Sequence, residues 1–116
     1  MEIEDLQNIC FSLPGTIQDI KWEDHLCFNV GGKMYLVTSP DNIPHTASFK
    51  VDNDQFEILI CKEGFSPAPY LARYKWVFLD DISRISEKEW KELIGQSYQL
   101  IFSKLPTKIK KSIESQ

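Results

Sequence analysis

The sequence predicts an α+β domain, in which helices from both ends of the chain pack on a mostly antiparallel sheet. Three observations carry that prediction. Apolar residues recur at helical spacing from Ser86 to Leu105, the middle of the chain alternates apolar and polar residues, and Gly31–Gly32 joins two alternating runs. The order that results is helix, several strands, helix, strand, helix, helix.

Each element has its own local signal. Ile3, Leu6, Ile9, Cys10 and Leu13 repeat at steps of three and four, an amphipathic helix that Pro14 and Gly15 end. "TIQDIKW" follows as a first strand. "LCFNV" places Leu26, Phe28 and Val30 on one side and Cys27 and Asn29 on the other. Gly31 and Gly32 supply the positive φ angles of a two-residue hairpin turn, and "KMYLVT" is the returning strand. After the turn-rich "SPDNIPH", "TASFKV" turns Ala47, Phe49 and Val51 one way. Asp52 and Gln55 make a capping box for a short helix with Phe56, Leu59 and Ile60 as its apolar positions and Gly64 as its stop. "KWVFLD" is a last strand, apolar enough to be central. Ser86 and Glu89 cap the clearest helix, whose stripe is Trp90, Leu93, Ile94, Ser97, Tyr98, Ile101 and Phe102. The tail adds a short helix with Pro106 near its start and Ile109 and Ile113 on one side.

Composition bounds what such a domain can be. The 116 residues, 42% hydrophobic and 26% charged, suit one folded domain spanning residues 1–116. No apolar run approaches the roughly 18 residues of a membrane span, and the acidic start "MEIEDLQNIC" lacks the features of a signal peptide. A cytoplasmic location without a membrane partner is therefore expected. Cys10, Cys27 and Cys61 are odd in number and sit among apolar neighbours, which reads as reduced core thiols. The net charge of -4 is unevenly spread: three basic residues against ten acidic up to Ile60, then ten against seven from Cys61 onward. Bulk attraction to nucleic acid does not follow, but a local basic face does remain open.

Catalytic and metal signatures are missing, so the chain reads as a non-enzymatic binding module without a cofactor. His25 and His45 are the only histidines, and "DHLC" brings two ligands at most to one strand face. "GGK" at Gly31–Lys33 lacks the spacing of a phosphate loop. Asp80 and Asp81 end a strand without a positioned partner and read as turn residues. Cys61 falls in the apolar stripe of its helix, where a thiol is inert. Glu2, Glu4, Asp5, Asp19, Glu23 and Asp24 give the amino-terminal part an acidic cast, which a solvated face explains more simply than weak cation binding.

Seven short motifs stand in register along nearly the whole chain: "LPG" at Leu13–Gly15, "IKW" ending at Trp22, "GGKMYLV" around Lys33, "FK" at Phe49–Lys50, "PAPY" to Tyr70, "KWV" at Lys75–Val77, and "QSYQLIFSKLP" with Ser97 and Tyr98. In this order they resemble the MmcQ/YjbR family of small bacterial proteins. The chain departs from the family pattern at Glu23, where a Gly is common, and at Arg73–Tyr74. The resemblance implies a frataxin-like fold, similar also to the double-wing DNA-binding domain of a phage transcription factor, and a DNA-binding role assigned to the family by fold analogy.

Carried over, that role makes Lys33, Lys50, Arg73 and Lys75 phosphate contacts. Tyr70, Trp22, Tyr35 and Trp76 would be the aromatic groups around them. The two tryptophans read more simply as packing groups. Lys104, Lys108, Lys110 and Lys111 form the most basic run, and either widen the footprint or complement helix dipoles. "GFSPAPYLARYKWVFLD" is then a stiffened crossing segment, with Pro67 and Pro69 holding Tyr70, Arg73 and Lys75 on a fixed backbone. The alternatives are a domain that binds a protein or small ligand through this aromatic rim, a homodimer among them, and a frataxin-like metal role for the amino-terminal acids.

Overall fold

Six strands form one antiparallel sheet in a computed structural model that describes residues 1–22 and 24–115. The strands are β1 (Ile17–Lys21), β2 (His25–Val30), β3 (Lys33–Ser39), β4 (Thr46–Lys50), β5 (Phe65–Pro67) and β6 (Trp76–Leu79), in the spatial order β1-β2-β3-β4-β6-β5. The helices are α1 (Ile3–Phe11), α2 (Asn53–Leu59), α3 (Glu87–Phe102) and α4 (Thr107–Glu114). None of the described helices is long and apolar enough to cross a membrane.

Period-two alternation decides which side chains meet the helices. Leu26, Phe28, Leu36, Ala47, Phe49, Val77 and Leu79 project from one face of the sheet into a core shared with Leu6, Ile9 and Cys10 of α1 and Trp90, Ile94 and Tyr98 of α3. Between β2 and β3 the register passes from Phe28↔Leu36 to Asn29↔Met34, which leaves Tyr35 as the extra residue of a bulge. Tyr35 therefore enters the same core as Leu36 and is fully buried, with its ring edge-on to Tyr98 at 5.5 Å. Trp90 anchors α3 from the other end, edge-on to Phe49 and donating its indole N–H to the Ile82 carbonyl at 2.9 Å. Both halves of the Ser86–Glu89 capping box are formed, as read from the sequence.

Ser97 ties α3 to the sheet in the middle of this contact. Its hydroxyl donates to the Tyr35 carbonyl at 2.6 Å and accepts the Lys50 amide N–H at 3.0 Å. A hydroxyl suits this buried position, because the bulge leaves backbone groups that need partners.

The other sheet face carries a smaller cluster of Cys27, Val37, Ala68 and Trp76. Residues 68–75 fold over it, with Ala68 N–H donating to the Trp76 carbonyl at 3.0 Å and Lys75 N–H to the Ala72 carbonyl at 2.9 Å. The stretch from Gly64 to Asp80 is thus more than a connection. Its start is an edge strand, its middle a cover for the second face, and its end the strand β6.

Three expectations are corrected. Cys61 is exposed instead of core, because α2 stops at Leu59 and leaves the thiol in the turn beyond the apolar stripe. Trp22 is 68% exposed, having left β1 with a φ of +52°, so only Trp76 of the two tryptophans packs. Tyr35 is a core residue through its bulge, not part of an aromatic rim.

Candidate nucleic-acid interface

The antiparallel register gathers four separate pieces of chain at one end of the sheet. The β2–β3 turn lies there, and so do the last residue of β4, the cover at residues 68–75, and the corner between α3 and α4. Each piece carries lysine or arginine.

Gly31 and Gly32 turn the hairpin at φ +57° and +79°, and place Lys33 exposed at the first position of β3. A Cβ on Gly31 would lie 2.6 Å from Leu105 Cδ1 and 3.2 Å from Ile109 Cγ2, so the bare turn rests directly on the α3–α4 corner. That corner carries Lys104 and Lys108. The hairpin is seated there because glycine has nothing to clash.

Lys50 closes β4 opposite Trp76. Its backbone is fixed by Ser97 and its ammonium donates to the Tyr74 carbonyl of the cover. The ammonium is held below the ordinary lysine range, first by partial burial and second by the like charge of Lys104. Lys104, 54 positions on, reaches this end of the sheet because the α3–α4 corner is seated on the β2–β3 turn.

The cover supplies the remaining groups. Residues Ala72–Tyr74 form a 3-10 turn in which Arg73 Nη2 donates to Tyr74 Oη at 2.6 Å while the guanidinium lies 4.8 Å from that ring's centre. Lys75 follows in the left-handed region at φ +65°, and its ammonium sits 4.9 Å from the centre of the Phe56 ring. Tyr70, at φ +66°, is 99% exposed. Of the five predicted contact residues, Lys33, Lys50, Arg73 and Lys75 thus come to the same end of the sheet, and Tyr70 projects from the cover beside them. Lys104 was legible only as part of a basic run, since nothing local in the sequence tells that the hairpin turn docks beside it.

Candidate chemistry elsewhere is absorbed by structure. Asp80 Oδ1 accepts Arg84 Nε at 2.6 Å, and Asp81 Oδ1 accepts the Ser83 amide at 2.9 Å as a cap. The guanidinium of Arg84 is held further above its usual range, chiefly by the Asp80 hydrogen bond. Asp24 pairs with His25 at 2.7 Å. Burial pushes the Cys10 thiol up to about 12 and raises that of Cys27, so neither is a nucleophile at neutral pH. Glu4 and Asp5 lie in the first turn of α1, where carboxylates offset the helix dipole. Glu23, counted among the amino-terminal acids and as a departure from the family pattern, lies outside the described residues. Among the described residues no group of three or more His, Cys, Asp or Glu is placed to hold a metal ion.

The protein DR2400 of Deinococcus radiodurans, described by a DUF419 domain, is 26% identical, superposes with a TM-score of 0.87, and is matched over 97% of this chain and 88% of its own. A Pseudomonas syringae protein solved by structural genomics has the same fold at 22% identity, with a TM-score of 0.71 over 86% of this chain and 98% of its own. No curated protein gives a significant match. The YjbR family model matches residues 11–100, which take in all the strands of the sheet, α2 and most of α3. The chain belongs to the YjbR family.

Proposed function

We propose that the protein is a non-enzymatic nucleic-acid-binding module of the cytoplasm that grips phosphates with the lysine-rich end of its sheet. The observation that carries this reading is the strand register, which brings Lys33, Lys50, Arg73 and Lys75 from three separate pieces of chain to one end of the sheet. Lys104 adds a further like charge near Lys50, which, after partial burial, helps hold the Lys50 ammonium below the ordinary lysine range. Lys33 on the hairpin turn and Arg73 and Lys75 on the cover extend the same field, and the exposed face of Tyr70 offers a stacking surface for an unpaired base. The family's assignment to DNA binding points the same way, as does the uneven spread of charge within a net of -4.

Fluorescence anisotropy with short single- and double-stranded DNA across a salt series tests this. Affinity should fall steeply with salt, and Lys50→Ala/Lys104→Ala and Arg73→Ala/Lys75→Ala should each weaken binding to all sequences alike. Removing one phosphate-binding cation reduces the steepness of log K against log salt by about 0.7–0.9. Absence of binding even at low salt sinks the proposal.

The 99% exposure of Tyr70 at a strained left-handed position favours a second reading, an interaction domain for a protein or small ligand. Under that reading Tyr70→Ala abolishes a partner complex while DNA affinity stays at background.

A further inference from the structure

The two edges of the sheet are built differently. β5 spans three residues and contains Pro67, which has no amide to offer a neighbour, whereas β1 is a regular five-residue strand with four exposed positions. Ile17 and Ile20 on β1 and Trp22 just after it are 68%, 65% and 68% exposed, and Phe11 of α1 adds a further exposed ring on the same flank, edge-on to Phe28. An unpaired edge that exposes apolar side chains is a template for another strand.

The sequence of β1 states which strand fits. Ile-Gln-Asp-Ile-Lys is self-complementary when run antiparallel to itself about Ile20: Ile20 meets the partner copy's equivalent isoleucine, and Asp19 of each copy meets Lys21 of the other. Asp19 and Lys21 project from the same side of the strand, so both charge pairs form on one face while the two copies of Ile20 meet on the other. The alternative centre on Asp19 would set the two aspartates against each other. The backbone is also ready for the first register. Asp19 Oδ1 accepts the Ile20 amide N–H at 2.8 Å, so this donor turns away from β2 and toward the open side. In the free chain the carboxylate caps it, and in a pair the carbonyl of Ile20 in the second copy replaces the carboxylate, releasing Asp19 to the second copy's lysine.

We propose that β1 is a self-pairing edge, through which two copies of the chain join their sheets about a two-fold axis at Ile20. The inference is independent of the nucleic-acid reading, since it uses none of the basic residues assigned there.

Sedimentation velocity over a concentration series from low micromolar to near millimolar tests it, with four samples beside the wild type. The wild-type chain should pass from monomer to twice the monomer mass as concentration rises. Ile20→Lys, which sets like charges at the axis of an exposed strand, should remain monomeric while keeping the wild-type circular dichroism. Asp19→Lys and Lys21→Asp should each remain monomeric alone, because each places like charges opposite one another twice. Mixed one to one, the two single reversals should dimerise, since each variant then complements the other at both positions. Wild-type chain that stays monomeric throughout overturns the proposal and leaves the edge to a strand of another protein. A dimer that persists in Ile20→Lys, or single reversals that stay monomeric when mixed although the wild type dimerises, overturns it equally by moving the contact elsewhere.

Discussion

The charge of Lys50 is opposed first by partial burial and second by the like charge of Lys104. Its folded-state pKa lies below the unfolded one, so the cost of its charge is fully present below the folded pKa, and stability rises as pH climbs from there toward the ordinary lysine value. Lys104→Gln should therefore raise the Lys50 pKa, and added DNA should raise it as well by supplying opposite charge. Carbon-detected NMR titration of the lysine side chains measures both shifts, and an unmoved Lys50 in the Lys104 variant would contradict the coupling. Ser97 makes a second residue-scale case. Removing its hydroxyl in Ser97→Ala leaves the Tyr35 carbonyl and the Lys50 amide short of a partner, and should cost about 1–3 kcal/mol. Urea unfolding should show this as a lower midpoint at an unchanged slope. Ser97 was readable as part of a helical stripe, but its role was not, because only the bulge at Tyr35 creates the backbone groups it serves.

The β2–β3 hairpin shows how far an element can be read from sequence. Paired glycines between alternating runs name the turn, and the turn is present with both φ angles positive. What the hairpin rests on was not legible, since its docking on Leu105 joins residues more than seventy positions apart. The two glycines separate these effects. A Cβ on Gly32 meets no atom within 4 Å, whereas one on Gly31 collides with Leu105. Gly32→Ala should thus cost about 1–2 kcal/mol for the left-handed backbone alone, and Gly31→Ala a further ~1–3 kcal/mol for overpacking. Equal losses in thermal or urea unfolding would show that the hairpin does not press on that corner. β5 was missed for a related reason: three residues ending in proline give too short an alternation to register, and the strand exists because β6 offers it an edge. Trp22 is exposed in spite of its size because the chain leaves the sheet just where Trp22 begins.

At the scale of the whole molecule, Lys33, Lys50, Arg73 and Lys75 share one end of the sheet. Glu63, Asp80 and Asp81 lie at the opposite end, where Arg84 pairs with Asp80 and Glu63. Under the nucleic-acid reading, the lysine end would face a phosphate backbone in spite of the net charge of -4. Amide chemical-shift changes on adding a short duplex should cluster at residues 31–34, 50, 70–76 and 103–108, and leave 80–87 unmoved. Changes centred on the acidic end would refute the orientation. The proline at the β5 edge has its own bearing on assembly. A sheet able to accept strands on both sides would add copies without limit and grow into a fibre, as any head-to-tail contact that fails to close does. With Pro67 ending one side, a union of two β1 edges would leave no second open edge, so the proposed assembly would stop at two copies.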